Sequence, residues 1–196
     1  MPIDFNQIIQ QVITLHTKPK EFWTELKSAD MSVQEIYFPY VFVMAAVYGL
    51  LFFLTVLIGT RFNFFMWALG MLFQRMLLVI GFVYVGAWFI TLVAEKFGMK
   101  KDFTGALKLL AYSLTPFCLI VVLDLIFWGI LHVSGLSYLT WIISWAGPGY
   151  LMFMGGVETI MEAPEDKKWP ALLICMVPIF VLTYFCGFTA MPAMWV

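Results

Sequence analysis

Long apolar runs separated by short polar connections dominate the chain. A helix needs about 20 apolar residues to cross the roughly 30 Å hydrocarbon layer of a bilayer, and each run is of that order. The pattern predicts an all-α, polytopic integral membrane protein with a five-helix transmembrane domain over residues 37–196. The predicted spans cover about residues 39–58, 66–94, 106–131, 136–157 and 170–188.

Residues 1–36 have a different pattern, in which apolar residues recur at helical spacing between polar ones. This pattern predicts short amphipathic helices on the cytosolic side, which lie along the membrane surface or pack against the cytosolic ends of the spans. Phe22, Trp23 and Leu26 share one helix face, and we predict that they lie at the membrane interface.

The start of the first span combines a capping signal with a proline. Ser32 and Glu35 have the spacing of a capping box, and Pro39 follows where the helix restarts or kinks. Tyr37 and Tyr40 are predicted to lie in the aromatic belt of the membrane interface.

The third run contains a polar patch, a proline and an acid. Asp102 is a predicted N-cap. Pro116 lacks an N–H, so a kink is predicted there, with Ser113 or a neighbouring helix satisfying the carbonyl of Tyr112. Ser113 and Asp124 lie about three helical turns apart, so they share a face that should point into the bundle.

Glycine and proline also interrupt the later spans. The fourth run contains Gly147-Pro148-Gly149, which predicts a bent or locally unwound helix. Discontinuous helices can build substrate or ion sites, but glycine and proline are also common in membrane helices, and we favour packing. The predicted helix-break and packing residues are Ser113, Pro116, Gly147, Pro148, Gly149 and Pro178.

Arg75 and Asp124 are ionisable residues within predicted spans. Arg75 lies about 13 Å along span two and Asp124 about 10 Å before the end of the antiparallel span three, so they reach a similar depth. Because a lone charge costs at least about 2.5–3.5 kcal/mol on insertion scales, we predict a direct or water-bridged contact. The pair locks two spans in register or forms part of an ion or proton relay.

Lysine and arginine positions predict the orientation. With the N-terminus in the cytoplasm, only Arg61 and Arg75 lie outside or near the outer face, and the C-terminus lies outside. The first span then serves as the insertion signal, since no cleavable signal peptide is recognisable. The lysines predicted to lie inside are Lys18, Lys20, Lys27, Lys96, Lys100, Lys101, Lys108, Lys167 and Lys168.

Composition and motifs argue against several function classes. The chain is 63% hydrophobic with a net charge of −1, which offers no basic surface for nucleic acid. The cysteines lack metal-ligand spacing, so we predict no metal and no cofactor. Asp124 is the only acid deep in a span, whereas an intramembrane aspartyl protease needs two. No catalytic residues and no enzyme activity are predicted.

Three segments together are similar to a known family: KPKEFW, FGMKKDFTGALKLLAYSLTP and the interrupted fourth run. From about Lys18 to the last span, the chain resembles the Yip (Ypt-interacting protein) domain family of five-span membrane proteins. Its short N-terminus is similar to the bacterial branch, which implies the bacterial inner (cytoplasmic) membrane. Eukaryotic members are implicated in vesicle traffic and Rab GTPase contact through a longer cytosolic segment. The resemblance implies a non-enzymatic protein.

Two functions follow from these features. The first is a membrane-organising or adaptor protein that contacts lipids, a protein partner or a second copy of itself. The alternative is a small transporter, channel or lipid-translocating protein that uses the Arg75/Asp124 region and the broken fourth helix. Flux of ions or lipids in liposomes would distinguish the two.

Overall fold

The structure, a computed structural model, describes the backbone of residues 4–194 and their side chains except at 134, 137, 138 and 187–194. This part of the chain is helical apart from short connections and contains no β-strand. The predicted all-α architecture is confirmed.

Nine α-helices are present in the described range. Before the third predicted span they are α1 (Phe5–Thr17), α2 (Pro19–Ser28), α3 (Val33–Glu35), α4 (Phe42–Gly59) and α5 (Phe65–Val93). After it begins they are α6 (Phe103–Ser113), α7 (Thr115–Asp124), α8 (Ser137–Leu151) and α9 (Lys168–Met194). Segments of π-helix adjoin three of these helices: Ile36–Val41 precedes α4, Leu125–Ile130 follows α7 and Met152–Ile160 follows α8.

Side-chain caps start several helices where the sequence predicts them. Ser32 and Glu35 form the complete capping box before the first span. The Asp102 carboxylate accepts a hydrogen bond from the backbone N–H of Thr104 at 3.0 Å and caps α6. These two predictions are confirmed.

Four helical segments of the described chain are long and apolar enough to cross a membrane. They lie at predicted spans one, two, three and five, and cover Val33–Gly59, Phe65–Phe97, Phe103–Ile130 and Glu165–Cys186. The fourth predicted span differs, because α8 has only 15 residues and the helical segment after it is interrupted. Five spans therefore remain a prediction.

Helix α4 packs between α5 and α7, and α8 packs between α7 and α9. Glycine, which has no side chain, permits close approach of the helices at two contacts. A Cβ at Gly147 would lie 2.7 Å from Pro116 Cβ, and a Cβ at Gly86 would lie 2.8 Å from Pro178 Cβ. Gly147 thus joins α8 to α7, and Gly86 with Pro178 joins α5 to α9.

The regular helix of the third span is interrupted at Leu114, two residues before Pro116. The Tyr112 carbonyl, which cannot bond the nitrogen of Pro116, accepts a hydrogen bond from Thr115 Oγ1 at 2.6 Å. Ser113 does not supply this bond, and its buried Oγ makes no hydrogen bond to the described residues. The compensation predicted for Ser113 is therefore wrong, and the neighbouring hydroxyl provides it.

The fourth helix is broken at Gly155, where φ is +148° and ψ is −17°. The local unwinding predicted at Gly147-Pro148-Gly149 is wrong, since α8 continues through these residues to Leu151. A bend there stays a prediction. Proline keeps a helical φ, so a helix can continue through it with one hydrogen bond lost, whereas a φ of +148° is open mainly to glycine. The backbone conformation at Gly155, not the proline, ends the regular helix.

Replacing Gly155 by alanine is expected to lower the free energy of unfolding by about 1–3 kcal/mol, because the backbone is held where an L-residue is strained. Gly81→Ala on α5 is the matched control. A Cβ there meets no atom within 4 Å, so the change should be neutral or stabilise by up to about 1 kcal/mol. Thermal unfolding in detergent measures both. Equal melting temperatures for the two variants would contradict the strain at Gly155.

Candidate functional site

Arg75 lies on α5 and is fully buried. The guanidinium carbon stands 4.2 Å from the centroid of the Phe52 ring on α4, a cation–π contact. Nε, Nη1 and Nη2 make no hydrogen bond with any described residue. The bundle therefore encloses a guanidinium, a positively charged group, without an ion-pair partner in the described structure.

Asp124, at the end of α7, is half-buried and accepts a hydrogen bond from Thr140 Oγ1 on α8. A direct contact with Arg75 is therefore absent, because the guanidinium nitrogens have no partner and the carboxylate bonds another helix. Similar depth did not imply adjacency: α5 packs on α4, α6 and α9, whereas α7 packs on α4 and α8. The water-bridged form of the contact stays a prediction.

Tyr40 forms a buried polar chain with the third span. Its hydroxyl lies 2.6 Å from Thr115 Oγ1, which donates onward to the Tyr112 carbonyl. The Tyr40 and Tyr112 rings also pack at 4.1 Å between centroids. The aromatic-belt prediction is wrong for Tyr40, which is enclosed by protein because its hydroxyl completes the hydrogen bonding at the Pro116 kink.

The α2 junction, formed by Trp23, Lys108, Leu151, Gly155 and Gly156, joins the N-terminal helices to the bundle. Trp23 is fully buried, and its indole Nε1 donates to the Leu151 carbonyl at 3.0 Å. In a regular α-helix that carbonyl would accept the N–H of Gly155, where the helix breaks. The indole also covers both glycines: a Cβ at Gly156 would lie 3.2 Å from the ring. Trp23 thus fills the break in the fourth helix.

Lys108 holds the other end of α2. The side chain is buried, and its Nζ donates to the carbonyl of Leu26 at 3.1 Å and to that of Ala29 at 2.6 Å. These carbonyls lie at the C-terminus of α2, where the helix dipole favours a positive charge. Lys108 is thus a C-cap supplied by the third span.

Phe22 and Leu26 are buried beside Trp23. The Phe22 ring packs edge-on against Tyr112, with centroids 5.2 Å apart. The predicted membrane-interface position of these three side chains is wrong, and the alternative of packing against the spans is what occurs. A single apolar helix face can contact either the membrane interface or the ends of the spans, so periodicity could not distinguish these two positions.

Glu162 links α2 to two connections at the same end of the bundle. Its carboxylate lies 3.0 Å from Lys27 Nζ and 3.7 Å from Lys100 Nζ. The hydrogen bond and charge of Lys27, with the charge of Lys100, hold the pKa of the Glu162 carboxyl below its ordinary value. We call this region the lysine-rich end; it comprises α2 and residues 94–102 and 161–168.

Metal-binding groups are not assembled in the described part of the chain. No group of three or more His, Cys, Asp or Glu side chains there is placed to hold a metal. What the bundle does assemble is one buried unpaired cation and one firmly docked N-terminal helix.

Comparison with known proteins places these features in a family. The family model of the Yip1 domain matches residues 13–188, most of the chain. The chain belongs to the Yip1 domain family. The resemblance seen in the sequence is confirmed, and the α2 junction lies within the matched region of this Yip1-family membrane protein. No curated protein and no solved structure matches the chain.

Sequence reasoning missed the α2 junction of this Yip1-family protein. The sequence predicts Lys108 only as one of the lysines on the cytoplasmic side, although it lies within an apolar run. The Gly155-Gly156 pair is the other signal, because adjacent glycines in an apolar helix permit a large side chain to approach the backbone. Neither signal identifies Trp23 as the residue that fills the gap.

Proposed function

We propose that this Yip1-family protein is a non-enzymatic membrane-organising or adaptor protein whose α1 helix contacts the lipid surface. The supporting observation is an apolar stripe on α1 that no part of the described chain covers. Phe5, Ile9 and Ile13, four residues apart, are 61%, 54% and 48% exposed. Ile8 and Leu15, on a different face of the helix, are buried and hold α1 against the protein.

Charge at the same end favours anionic lipid as the occupant of this stripe. Only Lys18 separates α1 from α2, so α1 lies beside the lysine-rich end. Lys18 and Lys20 are both exposed there. An amphipathic helix with basic neighbours binds the interface of an anionic bilayer through buried apolar area and electrostatic attraction.

The proposal includes a five-span topology in a bacterial inner membrane, with the N-terminus inside and the C-terminus outside. The positions of nine lysines and two arginines support this orientation. Exposed apolar side chains along α8, among them Trp141 and Ile142, support a fifth lipid-facing helix. Reporter fusions at the two termini test it, and reporters on one side of the membrane would exclude it.

A polarity-sensitive fluorophore attached through Ile9→Cys tests the lipid contact of α1. The cysteines at 118, 175 and 186 are buried, so labelling of the folded protein is selective. In nanodiscs we expect a blue shift that grows when phosphatidylglycerol replaces part of the phosphatidylcholine. The control is Gln10→Cys, an exposed position on the polar side of α1, which should stay in water. Equal spectra at both positions would contradict the contact.

Transport or lipid translocation is the second candidate function, favoured by the buried charge of Arg75. Purified protein in liposomes tests it directly. Flux of chloride or protons, or movement of fluorescent lipids between leaflets, above that of empty liposomes supports transport. Lipid contact by α1 without any flux supports the organising role.

A further inference from the structure

Arg75 carries a positive charge that the described protein does not balance. A guanidinium has five N–H donors, and here all three nitrogens lack a hydrogen bond. The face of the Phe52 ring contacts the cation. The ring accepts no hydrogen bond from the N–H groups, which lie in the plane of the guanidinium. A buried charge in this state is strongly disfavoured unless a further group pairs with it.

The surroundings of Arg75 restrict what that group can be. The phenol of Tyr48 lies near Arg75 and beside the thiol of Cys186. Neither a phenol nor a thiol offers the carboxylate with which a guanidinium usually pairs. Asp124, the carboxylate of the third span, bonds Thr140 on α8. No described carboxylate bonds the guanidinium directly, so the balancing charge can come from outside the described side chains.

We propose that Arg75 binds one small monovalent anion, of the chloride class, inside the bundle. One guanidinium balances one negative charge, which favours a monovalent anion over a dianion such as phosphate. Full burial of Arg75 also leaves no exposed surface for a bulky headgroup. Water could satisfy the N–H donors but would leave the charge unbalanced. The site is independent of the role proposed for α1, since it lies on α5 and not on the N-terminal helices.

Thermal unfolding of the full-length protein in an uncharged detergent tests this site. Thiol-reactive dye reports unfolding, because Cys118, Cys175 and Cys186 are buried in the folded state. Replacing gluconate by chloride at constant ionic strength should raise the melting temperature in a saturable manner, as expected for a ligand that binds only the folded state. Absence of any chloride effect on the wild-type protein would overturn the proposal.

Two variants assign the effect to Arg75. Arg75→Gln should abolish the chloride-dependent rise, whereas Arg61→Gln should keep it. Arg61 is the matched control, because it is exposed and its substitution removes the same charge. A chloride response of equal size in all three proteins would show binding elsewhere and reject the site.

A measurement on the wild-type protein covers the case in which Arg75→Gln does not fold. Crystals grown in bromide should give an anomalous peak within about 3.5 Å of the guanidinium, at hydrogen-bond range for a large anion. Density for water alone at that position rejects the proposal. A last experiment adds phosphatidylglycerol to the protein in gluconate. If the lipid raises the melting temperature but chloride does not, and the rise is lost in Arg75→Gln, the ligand is a lipid headgroup. That result would overturn the small-anion assignment.

Discussion

Replacing Trp23 by alanine is expected to lower the free energy of unfolding by about 3–5 kcal/mol, as for other fully buried aromatic side chains. The change opens a cavity against Gly155 and Gly156 and leaves the Leu151 carbonyl without its indole donor. The helix break then loses the group that fills it. We therefore expect faster amide exchange in α2 and in the segment Met152–Ile160, together with a lower melting temperature.

Two further variants separate the causes at Trp23. Trp23→Phe keeps most of the volume but removes the N–H, so about 1–3 kcal/mol should be lost. Trp169→Ala is the control for losing an indole, because Trp169 is 63% exposed. In detergent that variant should cost less than about 1 kcal/mol. If Trp23→Ala is no more destabilised than Trp169→Ala, Trp23 does not hold the junction.

Substituting Lys108 by methionine is the second change with a large expected effect. The aliphatic length is kept, but two hydrogen bonds from a charged donor are lost, and the carbonyls of Leu26 and Ala29 remain without them. We expect a loss of about 2–3 kcal/mol. Amide exchange should accelerate first over α2, since Lys108 caps that helix.

Lys101→Met is the matched control for Lys108. Lys101 precedes the same helix, is 54% exposed and pairs with Glu95 at 3.5 Å, so its removal should cost less than about 1 kcal/mol. The opposite result would be unchanged amide exchange over α2 in Lys108→Met and faster amide exchange there in Lys101→Met. It would mean that surface charge, and not the cap, governs the docking of α2.

Local features of the fold were predictable from the sequence because they depend on neighbouring residues. Apolar runs of sufficient length marked four helices, and the caps at Ser32 and Asp102 followed from spacing alone. The break in the fourth helix was misplaced because Pro148 is visible in the sequence, whereas the positive φ of Gly155 is not. From the sequence alone, a proline that remains within a helix cannot be distinguished from one that ends it.

The candidate site was less predictable because it depends on lateral placement in the bundle. Depth can be counted along a helix, and Arg75 lies ten residues into the apolar helical segment Phe65–Phe97. The order of helices around the bundle cannot be counted in this way, so Asp124 was paired with Arg75 although it bonds α8. The same limit applies to Trp23, whose acceptor is a backbone carbonyl with no side-chain signature.

The bond between Trp23 and Leu151 also fixes an order of assembly. Its partners are 128 residues apart in the chain, so the indole is synthesised long before its acceptor exists. At about 5–20 residues per second, roughly 6–26 s separate the two. Throughout that interval α2 has neither the Leu151 carbonyl nor, at first, the Lys108 ammonium to hold it. Helix α2 leaves the ribosome well before Leu151 and therefore reaches its final position only after the fourth helix is made, and its apolar face needs other cover until then.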